Sequence, residues 1–314
     1  MNEEISYSPY ALVGIKGFQR REGALLRVKF TDGTIGFADC HPWVSLGDLP
    51  ISDQLECLKQ GLPTQLGFRS LEFARLDAQA RKREISLFSG LSIPTSHLLI
   101  PNLQGLCLKE VERFLEDGIT CFKVKLGKDL EYQLPILVEF LKCAERHAFK
   151  VRLDFNCNLT LKQFEGFCDA INPWCGQIDF YEDPIPFDAA EWSKLKGRGV
   201  VACDLHSEKA LGVDAAALLV VKPAVQSLDL FGDASKKLVV TSYLDHPLGQ
   251  LCAAYVAAKV QGNRLHGCGL LTHLVYEATE FSEQLGHANG CLKVSEGTGF
   301  GFDELLSKQP WQKV

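Results

Sequence analysis

Six short apolar runs set the rhythm of the chain from residue 121 onward. They occupy residues 121–126, 151–154, 178–182, 200–204, 218–222 and 238–242, and each carries a polar or charged residue near its C-terminal end. Those ends are Lys125, Asp154, Glu182, Asp204, Lys222 and Ser242, at intervals of 29, 28, 22, 18 and 20 residues. Each interval has the length of one strand, one loop and one helix. Between the runs lie helical patterns such as 129–147 and 160–171, the second opening at Thr160 as an N-cap. Repeated βα units predict a parallel sheet, and a long series of them a barrel with its chemistry at the C-terminal ends of the strands.

The first run is the most informative. On a strand, side chains alternate faces, so Lys123 and Lys125 share one side while Phe122, Val124 and Leu126 share the other. On an edge strand two lysines would simply be solvated. Inside a barrel they become neighbours of Asp154, Glu182 and Asp204, which end three successive strands. Three anions around one low-dielectric rim repel unless a cation lies among them. With oxygen donors and no His or Cys nearby, the cation expected is Mg²⁺, for which Mn²⁺ substitutes.

Residues 1–96 break the rhythm. Residues 24–30 and 34–39 read as two strands joined at Thr31-Asp32-Gly33, a strong hairpin signal because Asp-Gly suits positive φ. A loop at 40–50 carries Trp43 and Leu46, which either dock on their own domain or close over something. Ser52 is then expected to cap a helix, and residues 69–84 to form a second, amphipathic one. The expected organisation is α/β: an α+β capping domain over 1–96, a modified TIM barrel (β/α)7β over 97–284, and a tail at 285–314 packing back on the cap.

Composition narrows the function. In 314 residues, 46% are apolar and 23% charged, with a net charge of −6 and no basic run, which gives no reason to expect nucleic acid or an anionic membrane as partner. The acidic start lacks an apolar core for a secretory signal, and the most apolar run, 215–221, is too short to span a bilayer. The 12 cysteines form no C-x-x-C pair and read mostly as buried, reduced thiols of a cytoplasmic protein. His266 and His273 read as structural.

A protonated lysine is no base, but two ammonium groups about 4 Å apart repel by roughly 4 kcal/mol at an effective dielectric of 20, worth about three pKa units. Lys125 would then act as general base with Lys123 tuning it and Lys222 on the opposite flank. The chemistry that needs such a set is proton removal next to a carboxylate.

At this point the residues resemble the enolase superfamily, in its muconate lactonizing subgroup. K-x-K appears as Lys123-Val124-Lys125, D-x-N as Asp154-Phe155-Asn156, E-[ED]-P as Glu182-Asp183-Pro184, the fifth-strand acid as Asp204, and K-P as Lys222-Pro223. The seventh-strand segment 242–249 ends in Leu248-Gly249, and His266-Gly267-Cys268-Gly269 is similar to the glycine-rich eighth strand. The resemblance runs from about Gly23 to the end of that strand. Within the subgroup, the compact length and Arg152-Leu153-Asp154 resemble the o-succinylbenzoate synthase family. What this implies is a lyase that dehydrates 2-succinyl-6-hydroxy-2,4-cyclohexadiene-1-carboxylate in menaquinone biosynthesis. It also implies catalytic Lys125, Lys222 and Lys123, metal ligands Asp154, Glu182 and Asp204, and substrate contacts at Asn156, Arg152, Ser242 and Trp43, with the 40–50 loop helping to close the site. The partner would be a small-molecule carboxylate and the assembly a monomer or small homo-oligomer.

Two departures stand out. The fifth strand has Leu205 where the pattern has Glu, and the seventh has Tyr243-Leu244-Asp245 in place of small residues. Other readings remain at this stage: a racemase, epimerase or cycloisomerase on the same lysines, a Schiff-base aldolase with Lys222 as nucleophile, or a barrel that only binds a ligand.

Overall fold

The computed structural model describes residues 3–105, 107–232, 236–260 and 262–314. The N-terminal part is an antiparallel sheet of β1 (Glu4–Leu12), β2 (Arg21–Lys29) and β3 (Ile35–Cys40). The β2–β3 turn is the one the Asp-Gly signal predicts, with Gly33 at φ 80° and Thr34 N–H donating to Asp32 Oδ1 at 3.1 Å. Two helices follow, α1 (Ile51–Lys59) and α2 (Gln65–Lys82). Ser52 is not the cap: Pro50 occupies the position before α1, and Ser52 Oγ bonds Asp53 instead. Helix α2 starts four residues before the predicted 69, where Thr64 accepts from Gly67 N–H. It lies directly on the sheet because Gly36 leaves room; a Cβ there would stand 1.9 Å from the Ala74 carbonyl oxygen.

The barrel strands are β4 (Leu98–Ile100), β5 (Cys121–Lys125), β6 (Lys150–Asp154), β7 (Ile178–Glu182), β8 (Val201–Cys203), β9 (Ala216–Val221), β10 (Lys237–Thr241) and β11 (Leu265–Gly269). They form one parallel sheet in sequence order. A bridge between Ser96 and Cys268 brings its two edges together, and His97 N–H donates to the Cys268 carbonyl at 2.9 Å. Helices α3 (Leu108–Glu116), α4 (Leu130–His147), α5 (Leu161–Ile171), α6 (Ala189–Ser193) and α7 (Pro247–Lys259) fill the connections. Thr160 caps α5 in a reciprocal box with Gln163.

Two connections depart from the regular βα expectation. Among the described residues, β8–β9 and β9–β10 carry only 3₁₀ turns, Lys209–Gly212 and Leu228–Phe231. The shorter spacings there leave too little chain for a full helix and its two loops.

The alternation on β5 has its predicted result. Phe122 and Val124 pack outward, Phe122 against Phe140 and Phe149 with ring centroids 6.1 and 4.9 Å apart, while Lys123 and Lys125 line the interior. Phe180, Ala202, Leu218, Val220 and Val239 plug the barrel beneath them. The tail continues through α8 (Glu280–Glu283), β12 (Gly286–Ala288), β13 (Cys291–Lys293) and α9 (Asp303–Ser307) to β14 (Gln312–Lys313), which pairs with β1. All twelve cysteines are free; five are buried, and Cys107 and Cys175 are exposed. Among the described residues no helix is long and apolar enough to cross a membrane.

Candidate active site

The strand register puts Lys125 beside Asp154 and Asp154 beside Glu182, on three neighbouring strands at the mouth of the barrel. Lys123 lies one layer deeper, buried, with Nζ 2.9 Å from Asp154 Oδ2 and 2.6 Å from Glu182 Oε1. Lys222 Nζ is held by both oxygens of Asp204. Two left-handed residues shape the rim. Asn156, at φ 46°, turns both its N–H and its Nδ2 onto Asp154 Oδ1, at 3.1 and 3.0 Å. Asp183, at φ 42°, accepts from the N–H groups of Asp204 and Leu205 at 3.0 and 2.9 Å. Asp183 thus fastens the fifth-strand end from the fourth strand, while the Leu205 side chain is left to line the cavity.

The cavity has a volume of about 660 Å³, counting the solvent at its mouth. Lys123, Lys125, Lys222, Asp154, Asp204, Asn156, Ser242 and Trp43 all line it. Arg152 does not. It is buried below the rim, with Nε on Asp179 at 2.8 Å and Nη1 on His97 Nδ1 at 2.7 Å, so its guanidinium is engaged by partners inside the barrel. Ser242 is engaged with Thr272 Oγ1 at 2.5 Å. Trp43 lies over the Arg21 guanidinium at 4.3 Å and meets the Tyr243 ring edge-on at 5.5 Å. The loop is further pinned by Asp48, which accepts from Trp43 N–H at 2.7 Å and from Tyr243 Oη at 3.0 Å. Trp43 and Leu46 therefore close over the barrel mouth.

The electrostatics correct one expectation. Burial is the main reason that the Lys125 pKa falls below the ordinary lysine range, with the Lys123 and Lys222 charges acting in the same direction. Repulsion from Lys123 is secondary because its charge is already matched. Although burial opposes the Lys123 ammonium, Asp154, Glu182 and Asp204 outweigh it and hold its pKa above the usual range. Burial pushes Glu182 up to about 8 against the pull of Lys123, with Asp154, Asp204 and Asp183 adding to the rise. Burial and Asp204 push Asp183 up to about 7. Among the described residues no three acidic, histidine or cysteine groups converge on one point as they stand. Lys123 occupies the space between Asp154 and Glu182. The donor set nonetheless fits a hard divalent cation: oxygen ligands on three adjacent strands, one of which, Glu182, is raised by burial with its carboxylate neighbours adding to the rise.

Residues 5–80 match the family model described as the N-terminal domain of O-succinylbenzoate synthase. Over an alignment of 332 positions the chain is 34% identical to the o-succinylbenzoate synthase of Bdellovibrio bacteriovorus, covering 99% of this chain and 98% of that one. The chain belongs to the o-succinylbenzoate synthase family. Solved structures extend the likeness of the fold beyond that family. The muconate lactonizing enzyme from Pseudomonas putida superposes with a TM-score of 0.80 at 17% identity, over 97% of this chain and 98% of that one. A mandelate racemase/muconate lactonizing enzyme from Roseiflexus sp. gives 0.81 at 19%, over 95% and 96%. Membership in the synthase family sets the reaction class as a lyase. Sequence reasoning did not single out His97 or Thr241 among the cavity residues, nor Asp183 as a brace, whereas Leu244, one of its seventh-strand departures, does line the cavity. A polar residue just before the short apolar run 98–100 was the available signal for His97.

Proposed function

We propose that the chain converts 2-succinyl-6-hydroxy-2,4-cyclohexadiene-1-carboxylate to 2-succinylbenzoate and water, a step of menaquinone biosynthesis, with Lys125 as the base. The observation that carries this reading is the pair of differently treated lysines facing one cavity. Burial favours the neutral amine at Lys125, while Lys222 is engaged by both carboxylate oxygens of Asp204. Neutral Lys125 takes the proton next to the ring carboxylate, and the C–H electron pair moves toward that carboxylate as an enediolate. The electrons then return to expel the ring hydroxyl, which leaves as water with the proton that Lys125 now carries. One face and one proton carrier suffice, and the product gains an aromatic ring. Lys222 stays cationic and stabilises the enediolate charge; an amine nucleophile for Schiff-base chemistry is disfavoured by the same ion pair. A divalent cation, Mg²⁺ or Mn²⁺, held by Asp154, Glu182 and Asp204, would supply further electrostatic stabilisation of that charge. Asn156 fixes the Asp154 carboxylate, and Trp43 and Leu46 exclude water.

The test is direct assay of dehydration with Mg²⁺ present. Lys125→Ala should be inactive, whereas Lys222→Arg, which keeps the charge but is no base, should retain measurable activity. A wild-type protein that fails to dehydrate this substrate yet exchanges the α-proton of N-acylamino acids or dipeptides for deuterium would replace this reading with a racemase or epimerase.

A further inference from the structure

The wall of the cavity across from the three carboxylates carries a histidine without a role in the scheme above. His97 stands just before β4, only 6% exposed, and lines the cavity beside Leu99, Thr241 and Gly269. Its tautomer follows from its neighbour. Arg152 Nη1 lies 2.7 Å from His97 Nδ1, and a guanidinium only donates, so Nδ1 accepts and the neutral ring carries its proton on Nε2. Burial, with the Arg152 and Lys123 charges beside it, holds the imidazole well below the usual histidine range and therefore neutral.

The donor is held from behind by two strand irregularities. On β7 the ladder shifts so that Val151 pairs with Ile178 and Arg152 with Phe180, leaving Asp179 free of the ladder. On β11, Leu238 pairs with Leu265 and Val239 with Gly267, leaving out His266 in the same way. The two displaced residues meet, His266 Nε2 to Asp179 Oδ1 at 2.9 Å, and Asp179 Oδ2 takes Arg152 Nε at 2.8 Å. Arg152 also lies 4.8 Å over the Phe180 ring and donates to the Cys268 carbonyl at 3.2 Å. Its guanidinium is thus fixed on four sides. No hydrogen bond within the described residues reaches His97 Nε2, which lies beside Gly269 in the cavity lining. Gly269 keeps the space in front of that atom open, since a Cβ there would stand 2.7 Å from it.

We propose that His97 Nε2–H binds an acceptor oxygen of the succinyl arm of the substrate, with Arg152 as a positioning residue that sets its tautomer. This rests on the dehydration reading. The ring carboxylate must face Lys125, Lys222 and the carboxylates on β6, β7 and β8. The succinyl group, on the adjacent ring carbon, is then directed toward β4, β10 and β11, where His97 stands. A neutral donor polarised by a buried guanidinium suits a keto or carboxylate oxygen.

The experiment compares inhibition of the Mg²⁺-supplied enzyme by 2-succinylbenzoate, 2-butanoylbenzoate and benzoate in wild type, His97→Phe and His97→Gln. His97→Phe should weaken 2-succinylbenzoate by about tenfold or more, the worth of one hydrogen bond to a charged group. It should raise KM in parallel and leave benzoate binding and most of kcat unchanged. His97→Gln, which returns an N–H donor at similar reach, should recover most of the loss. Loss that extends to 2-butanoylbenzoate assigns the keto oxygen; loss confined to 2-succinylbenzoate assigns the terminal carboxylate. Nitrogen NMR of the wild-type imidazoles needs no variant: His97 should be neutral with Nε2 protonated, and its Nε2 should shift on adding 2-succinylbenzoate but not benzoate. An Nδ1-protonated ring, or equal weakening of all three inhibitors, overturns the inference. An active wild type with an unaffected His97→Phe sinks this proposal alone, whereas an inactive wild type sinks the dehydration reading.

Discussion

Two carboxylates at the junction of cap and barrel give a stability prediction with a definite sign. Asp39 is the penultimate residue of β3, and Asp245 lies between β10 and α7; both are buried. A Cβ at Gly249 would stand 2.6 Å from Asp39 Oδ2 and 2.8 Å from Asp245 Oδ2, so the two groups converge on the first turn of α7. Asp39 accepts from Tyr10 Oη and from His246 N–H, the latter at 3.0 Å, but Asp245 Oδ1 has no partner. Burial pushes Asp245 up to about 6 and Asp39 well above the carboxylate range, the latter with Asp245 adding to the rise. A raised pKa means that the folded state holds a proton the unfolded chain has released. The stability contributed is complete below the unfolded pKa of 3.8 and is lost as pH rises through about 6. From 3.8 to about 6 at 1.36 kcal/mol per unit, ionising Asp245 costs about 3 kcal/mol by pH 8. Asp245→Asn keeps the shape, removes the charge and offers an amide N–H to Asp39. Urea unfolding from pH 4.5 to 8 should show little change at the acid end and a gain approaching 3 kcal/mol at the alkaline end. A loss that grows as pH rises through about 6 would show that the Asp245 charge is stabilising and refute the reasoning.

Two further outcomes concern closure and the cation. Tyr243→Phe removes the hydroxyl that reaches Asp48 at 3.0 Å, about 1 kcal/mol of loop closure, and should raise KM several-fold with little change in thermal midpoint; unchanged kinetics would make the 40–50 loop an ordinary surface loop. Asp204→Asn should weaken Mg²⁺ binding in calorimetry and abolish activity, and the wild-type thermal midpoint should rise with Mg²⁺ by mass action. Unchanged Mg²⁺ affinity in Asp204→Asn would remove Asp204 from the proposed ligand set.

What the sequence made legible was the part governed by local period and spacing. The alternation through Lys123 and Lys125, the polar strand ends and the Thr160–Gln163 box are all properties of neighbouring residues. Strand β1 was hidden by Pro9, which a ladder tolerates only at an edge. Here β14 pairs with β1 only at Ser6 and Tyr7, so Pro9 lies where β1 has no partner on that side. Strand β4 is three residues long, too short to show any period. Arg152 illustrates the deeper limit. Its position two residues before Asp154 put it on the correct face, but its depth and its partners depend on bulges at Asp179 and His266. Nothing local in the sequence marks a skipped ladder position, so an inward-facing arginine read as a substrate contact and the histidine it orients went unnoticed.

The lysines and carboxylates are best understood as one charge system. Lys123, Lys125 and Lys222 face Asp154, Glu182, Asp183 and Asp204, and only Asp183 has its charge met mainly by backbone N–H groups. If Lys125 is neutral, as a base must be, two ammonium groups remain against four carboxylates. Such a set disfavours a carboxylate substrate, because another anion enters a site already short of positive charge; at Glu182 the neighbouring carboxylates add to the burial that raises it to about 8. A dication balances the two unmatched charges without protonating Lys125. The proposed metal would therefore do more than meet the enediolate charge: it would let Lys125 stay neutral beside Asp154 while a carboxylate binds. Removing the cation should then do two things at once, weakening carboxylate inhibitors and shifting the basic group in the pH–rate profile upward, whereas a metal that served only as a structural staple would leave that pKa where it was.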